Sequence, residues 1–217
     1  MKNSKPFFAK IKNPSLRKEL LRAIRNEWTH DSTAIEGNSL TLKDTDFVLS
    51  EGLTVSGKPL SHHQEIYAHA KAIELIYATL DKQRLEERDV LLLHQAVLSE
   101  RIVDIYYPVG SWKVEPNFTY YVRDNKRAQH EYPHPEVIPI LMSQWLDCAN
   151  RWVDRVEARK DAEQSYAELH MKFVAIHPFV DGNGRMARLL ANIPFDERLS
   201  SDQHSVGRTR CLSGGSI

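Results

Sequence analysis

Twelve consecutive residues constrain this chain more than any other stretch: His177-Pro178-Phe179-Val180-Asp181-Gly182-Asn183-Gly184-Arg185-Met186-Ala187-Arg188. The apolar run Phe173-Val174-Ala175-Ile176 leads into them and reads as a helix end. Proline disfavours the helical conformation in the residue before it, so Pro178 stops that helix at His177. The chain must then turn, and Gly182-Asn183-Gly184 supplies the backbone freedom for a tight loop. Arg185 to Ala191 reads as the first turns of a new helix. The predicted unit is helix, turn, helix.

The chemistry of the unit follows from its parts. Backbone N–H groups at a glycine-rich turn that opens a helix form an anion site. The polyphosphate of a nucleotide is the natural ligand. Asp181 stands beside this cradle, where a carboxylate suits Mg²⁺ shared with phosphate oxygens. Arg185 and Arg188 lie three residues apart on the new helix and share a face. Their guanidinium forks suit bidentate phosphate binding. His177 is the one side chain here that takes a proton near neutral pH. Phe179 is expected to point inward and anchor the loop.

A second loaded segment is Ser32-Thr33-Ala34-Ile35-Glu36-Gly37-Asn38. It reads as a short helix ending at a glycine, with Gly37 as the natural residue after the C-cap. Asp31 or Ser32 is placed to cap its start. Glu36 opposes the helix dipole at that end, so a cationic partner would help it.

Together these segments resemble the Fic family. The family signature is His-Pro-Phe-x-[Asp/Glu]-Gly-Asn-Gly-Arg-x-x-Arg, and all nine fixed positions match at His177, Pro178, Phe179, Asp181, Gly182, Asn183, Gly184, Arg185 and Arg188. Doc-type kinases are similar but differ where Asp181 and Gly182 to Gly184 stand here. Ser32, Glu36 and Gly37 resemble the family's inhibitory helix, [Ser/Thr]-x-x-x-Glu-[Gly/Asn]. The resemblance implies a mainly α fold, a Fic-type helical bundle with a small β-hairpin flap over the active site. It implies a protein adenylyltransferase in which His177 is the base and AMP passes from ATP to a Ser, Thr or Tyr hydroxyl. Asp181 would hold Mg²⁺. Gly182, Asn183, Gly184, Arg185 and Arg188 would bind the nucleotide, with Arg188 on the γ-phosphate. Glu36 would pair with Arg188 and restrain the enzyme. Two other outputs share these residues or part of them. One is a hydrolase that removes AMP from a modified target with the help of Glu36, or a bifunctional enzyme that does both. The other is a truncated interaction module. The phosphate motif does not read the base, so another nucleotide donor also fits it.

Composition narrows the remaining classes. The 217 residues hold 29 Lys+Arg and 29 Asp+Glu, so the net charge is zero and nothing points to nucleic acid or an anionic membrane surface. No apolar run approaches membrane-spanning length. The start, Met1-Lys2-Asn3-Ser4-Lys5-Pro6, lacks the apolar core of a secretory signal. Cys148 and Cys211 make no disulfide framework. A cytoplasmic protein is the resulting expectation. No histidine pair has the spacing of a zinc site.

Along the chain, residues 1–60 read as an N-terminal helical region carrying the Glu36 motif. Helices are expected at Leu16–Thr29 and at Leu40–Leu49. Residues 61–193 read as the core. Within it Ser61-His62-His63-Gln64 looks like a capping box opening a helix to about Leu80. Glu87–Leu98 is a further helix, on which His94 reads as a half-buried packing residue. Aromatic and β-branched residues cluster between 111 and 133 and read as a hairpin, the flap of the resemblance. A strand edge there can accept a protein substrate by strand addition. Pro135 to Val156 and Asp161 to Ile176 are the last two helices before the signature. The family also allows a homodimer. Residues 194–217 depart from the pattern: Pro194 ends the motif helix, and the Ser/Gly-rich tail has the composition of disorder.

Overall fold

The computed structural model describes residues 8, 11–79, 82, 84–99, 108–123, 125–155 and 159–193. The tail from 194, including Cys211, lies outside the described residues.

The first helix, α1 (Pro14–Ile35), opens where the Asn13 side chain accepts from the N–H groups of Ser15 and Leu16, with Pro14 in the first turn. It runs unbroken through the Glu36 motif, which corrects the expectation of a separate short helix capped at Asp31 or Ser32. No glycine or proline interrupts the stretch, and Asn26, Thr29, Ser32 and Thr33 continue one buried polar face. The helix ends only where Gly37 turns to φ 97°. Next, α2 (Leu42–Glu51) carries a capping box between Thr41 and Asp44. The box anticipated at Ser61 is not the start of α3 (Leu60–Thr79), because Ser61 lies inside that helix. After α4 (Glu87–Val97) comes the flap. Its strands β1 (Phe118–Arg123) and β2 (Lys126–Glu131) pair antiparallel, from Phe118 opposite Glu131 to Arg123 opposite Lys126. Asn125 takes φ 57° at the two-residue turn, a conformation asparagine tolerates.

A 3₁₀ turn at Pro135–Val137 precedes α5 (Ile138–Arg155), so the helix starts later than Pro135. Two further helices are the last among the described residues: α6 (Arg159–Ile176) and the short α7 (Asn183–Ala191). The signature helix α7 is central, touching α1, α3, α4 and α6. Met186, Leu189 and Leu190 of α7 are buried with Trp145, Leu169, Phe173 and Phe179 in the main core. The polar handle of Trp145 is satisfied, its Nε1 donating to Leu169 O at 3.0 Å. Cys148 is a free, buried thiol in this core. Among the described residues no helix is long and apolar enough to cross a membrane.

Candidate active site

The site is built around the turn between α6 and α7. His177 ends α6 with φ 50°, a conformation a side chain rarely adopts, while its N–H still reaches back to Phe173 O at 2.9 Å. This left-handed residue swings the chain out of the helix, and Pro178 prevents its continuation. The ring Nδ1 lies 3.3 Å from Val174 O. A carbonyl only accepts, so Nδ1 donates and Nε2 keeps the lone pair. Burial pushes the imidazole down to about 4, the Val174 bond opposes this, and the Lys113 charge adds to it. His177 is therefore neutral and basic at Nε2 at pH 7.

The turn is held from below. Phe179 is buried and stacks on the His94 ring, centroids 3.7 Å apart and planes at 4°. His94 is fully buried rather than half-buried. Its Nε2 donates to Asp181 O at 3.1 Å and its Nδ1 accepts from Gly110 N at 2.9 Å. Its pKa sits at about 4 through burial. Asn183 turns its side chain inward, accepting from Phe179 N at 3.0 Å and donating to Phe179 O at 2.8 Å. The side chain thus shapes the loop while the backbone N–H groups of the turn face outward as donors. Gly182 takes φ 78° and caps α7. Asp181 Oδ1 accepts from Gly182 N at 2.5 Å, and its side chain is 38% exposed.

The two signature arginines have different neighbours. Arg185 is nearly enclosed, its Nη1 2.8 Å from Glu65 Oε1 and its Nη2 3.6 Å from Asp181 Oδ1. Arg188 reaches α1, where Nε donates to Ser32 Oγ at 2.9 Å and Nη2 to Ser32 O at 2.9 Å. The same Nη2 donates to Glu36 Oε1 at 2.6 Å. A Cβ built on Gly184 would lie 2.5 Å from Glu36 Oε1, so the carboxylate sits directly on the glycine turn. Gly37 frees the chain to leave α1 immediately after Glu36. The structure thus brings Ser32, Glu36, His177, Asp181, Gly182, Gly184, Arg185 and Arg188 to one mouth.

Sequence reasoning missed several residues here. Glu65 of α3 bonds both Arg185 and Asn38 Nδ2, the latter at 3.0 Å. His69 of α3 is fully buried, pushed down to about 3 by burial and then by the charges of Arg185 and Arg188. Tyr132 stacks on the His177 ring, and Lys113 and Asn117 bond the main-chain carbonyls of Pro178 and Phe179 that follow it. None of these belongs to a local motif, and only the fold brings them to the turn.

A bundle with this turn and flap is the Fic type of domain. The Fic/DOC family model matches residues 84–194, and the chain belongs to that family. It is 35% identical over 182 residues to protein adenylyltransferase Fic of Drosophila virilis, covering 83% of this chain and 34% of the relative. The likeness to the Drosophila melanogaster protein of the same name is equal, 35% over 182 residues with the same coverage. The chain thus spans about a third of the length of the curated relatives it matches. A Fic domain containing signaling protein from Bacteroides thetaiotaomicron superposes with a TM-score of 0.73 at 28% identity, covering 88% of this chain and 70% of that one. Fic-1 from C. elegans superposes with a TM-score of 0.67 at 26% identity, covering 87% and 52%.

Proposed function

We propose that the chain transfers AMP from ATP to a Ser, Thr or Tyr hydroxyl of a protein, and that Glu36 restrains it. The observation that carries this reading is the Glu36–Arg188 pair at 2.6 Å, set on Gly184 beside a neutral His177. The names of the Drosophila relatives support the reaction class.

In this reading His177 Nε2 takes the proton of the incoming hydroxyl. The hydroxyl oxygen bonds the α-phosphorus, the bond to the β-phosphate oxygen breaks, and pyrophosphate leaves with that electron pair. The N–H groups of the Gly182–Gly184 turn stabilise the charge on the phosphate oxygens. Arg185 holds the β-phosphate region, and Arg188 the γ-phosphate, which orients the α-phosphate for in-line attack. In the resting chain Arg188 is occupied by Ser32 and Glu36. The γ-phosphate would have to displace the Glu36 carboxylate to reach Arg188.

Asp181 suits Mg²⁺. Its carboxylate is partly exposed at the turn, and no cluster of three or more metal-ligating side chains occurs among the described residues. A hard carboxylate oxygen beside the glycine turn matches an ion that takes its other ligands from phosphates and water. Bound there, Mg²⁺ would neutralise phosphate charge. Target segments would add to the exposed flap, where Phe118, Tyr120, Tyr121 and Val122 are open to solvent.

The test is label transfer from α-phosphate-labelled ATP with Mg²⁺. Glu36→Gly should label itself or added protein, and adding His177→Ala should cut this by at least ~10²-fold. Equal labelling with and without His177 would sink the proposal.

A further inference from the structure

The root of the flap holds a buried lysine that the chemistry above does not use. Lys113 is 2% exposed. Its main-chain N–H donates to Pro178 O at 2.9 Å, and its Nζ donates to Asn117 Oδ1 at 2.6 Å. Asn117 passes the link on, its Nδ2 donating to Phe179 O at 3.0 Å. Pro178 and Phe179 are the two residues that follow His177. Asn117 O also accepts from Tyr132 N at 3.1 Å, closing the hairpin one pair below Phe118 and Glu131. Tyr132 lies flat on the His177 ring, centroids 3.8 Å apart and planes at 14°. Lys113 Nζ stands 5.9 Å from the centroid of that same tyrosine ring.

These contacts form a closed circuit from the base, through its following turn, to the flap root and back to the base. A buried ammonium is costly, and a leucine or methionine would fill the space without that cost. Burial pushes Lys113 down to about 8, yet it remains largely charged at pH 7. Charge at this place costs stability, so a purely packing role does not explain it.

We infer that Lys113, Asn117 and Tyr132 form a positioning device for the His177 base, fixing its ring plane and tying that plane to the root of the flap. The inference rests on the proposed role of His177 and deepens it. A target strand added to the flap then bears on the same two segments that hold the base. Lys113 is a positioning residue and touches no reacting atom.

The test uses the full chain carrying Glu36→Gly, with Lys113→Met, Lys113→Arg and Tyr132→Leu added separately. Transfer is measured against pH, and the His177 imidazole is titrated by NMR, which needs no activity. Lys113→Met should lower kcat about tenfold or more with little change in KM for ATP. Removing a neighbouring cation favours imidazolium, so both the acid limb and the NMR titration of His177 should move upward. Lys113→Arg should restore most of the rate. Tyr132→Leu should lower kcat with the melting temperature nearly kept. Folded Lys113→Met with an unmoved His177 titration and a kcat within about twofold of the parent would overturn the inference. Should Lys113→Met not fold, Tyr132→Leu decides alone: an unchanged rate overturns it. Should the Glu36→Gly parent transfer no label, the adenylyltransferase reading fails by itself, and the NMR titration still decides this one.

Discussion

Arg188 makes three hydrogen bonds to α1, two to Ser32 and one to Glu36. Its side chain is 13% exposed and that of Glu36 is 37% exposed, so the pair is partly screened and suited to a brake that can be released. Glu36→Gly should raise transfer roughly 5- to 150-fold, the range of a ~1–3 kcal/mol coupling. Ser32→Ala removes one of the three bonds and should give a smaller rise, measured in the same assay. Gly184→Ala places a methyl against the Glu36 carboxylate, whose flexible end must move aside. Arg188 Nη1, 3.2 Å from that methyl, must also give, so the substitution should weaken the Glu36–Arg188 contact, read as a change in transfer in the same assay. His177, Glu36, Gly184 and Arg188 were legible in sequence because each sits in a contiguous motif. Glu65 and Lys113 were not. A glutamate on an amphipathic helix and a lysine after a glycine turn are ordinary until the fold sets them against Arg185 and Pro178.

At the scale of elements, most helices follow from periodicity and their ends from chemistry. Gly37 ends α1, Thr41 and Asp44 cap α2, and His177-Pro178 ends α6. The join between α1 and the Glu36 motif was not legible, because a polar face of Asn26, Thr29, Ser32 and Thr33 hides the helical stripe that apolar residues normally show. Continuity matters for the proposed brake, since α1 and its C-cap hold Ser32 and Glu36 one helical turn apart. The loop before α7 depends on α4 through His94, which bonds Asp181 O and Gly110 N and stacks on Phe179. The sequence pattern gave His94 a packing role and could not show its two buried hydrogen bonds. His94→Ala should destabilise the fold by about 2–4 kcal/mol, because it leaves two backbone groups unpaired and a void under Phe179. Urea unfolding measures this, and a loss under about 0.5 kcal/mol would refute that view of the loop.

Across the described residues, His69, His94, His170 and His177 share one electrostatic direction, each held below the ordinary imidazole range first by burial. His69 is pushed down to about 3, and His94 and His177 to about 4, chiefly by burial. Their neutral forms are favoured in the native state, while in the unfolded chain they protonate near 6.5. The unfolded state thus binds more protons below 6.5, and stability falls as pH drops from about 6.5 towards 4. Each histidine contributes a slope of up to about 1.4 kcal/mol per pH unit in that window. Urea midpoints from pH 7 to 5 should decline accordingly, and His69→Met should make the decline shallower. The same architecture predicts that ATP with Mg²⁺ raises the melting temperature, and raises it more once Glu36 no longer occupies Arg188. In the proposed reading this site moves AMP and Glu36 holds it back. The most direct measurement is label transfer from α-phosphate-labelled ATP with Mg²⁺ by the parent chain, Glu36→Gly and Glu36→Gly/His177→Ala. Strong labelling by Glu36→Gly alone is the predicted result. Equal labelling by the parent and Glu36→Gly, or none from any folded variant, would contradict the account.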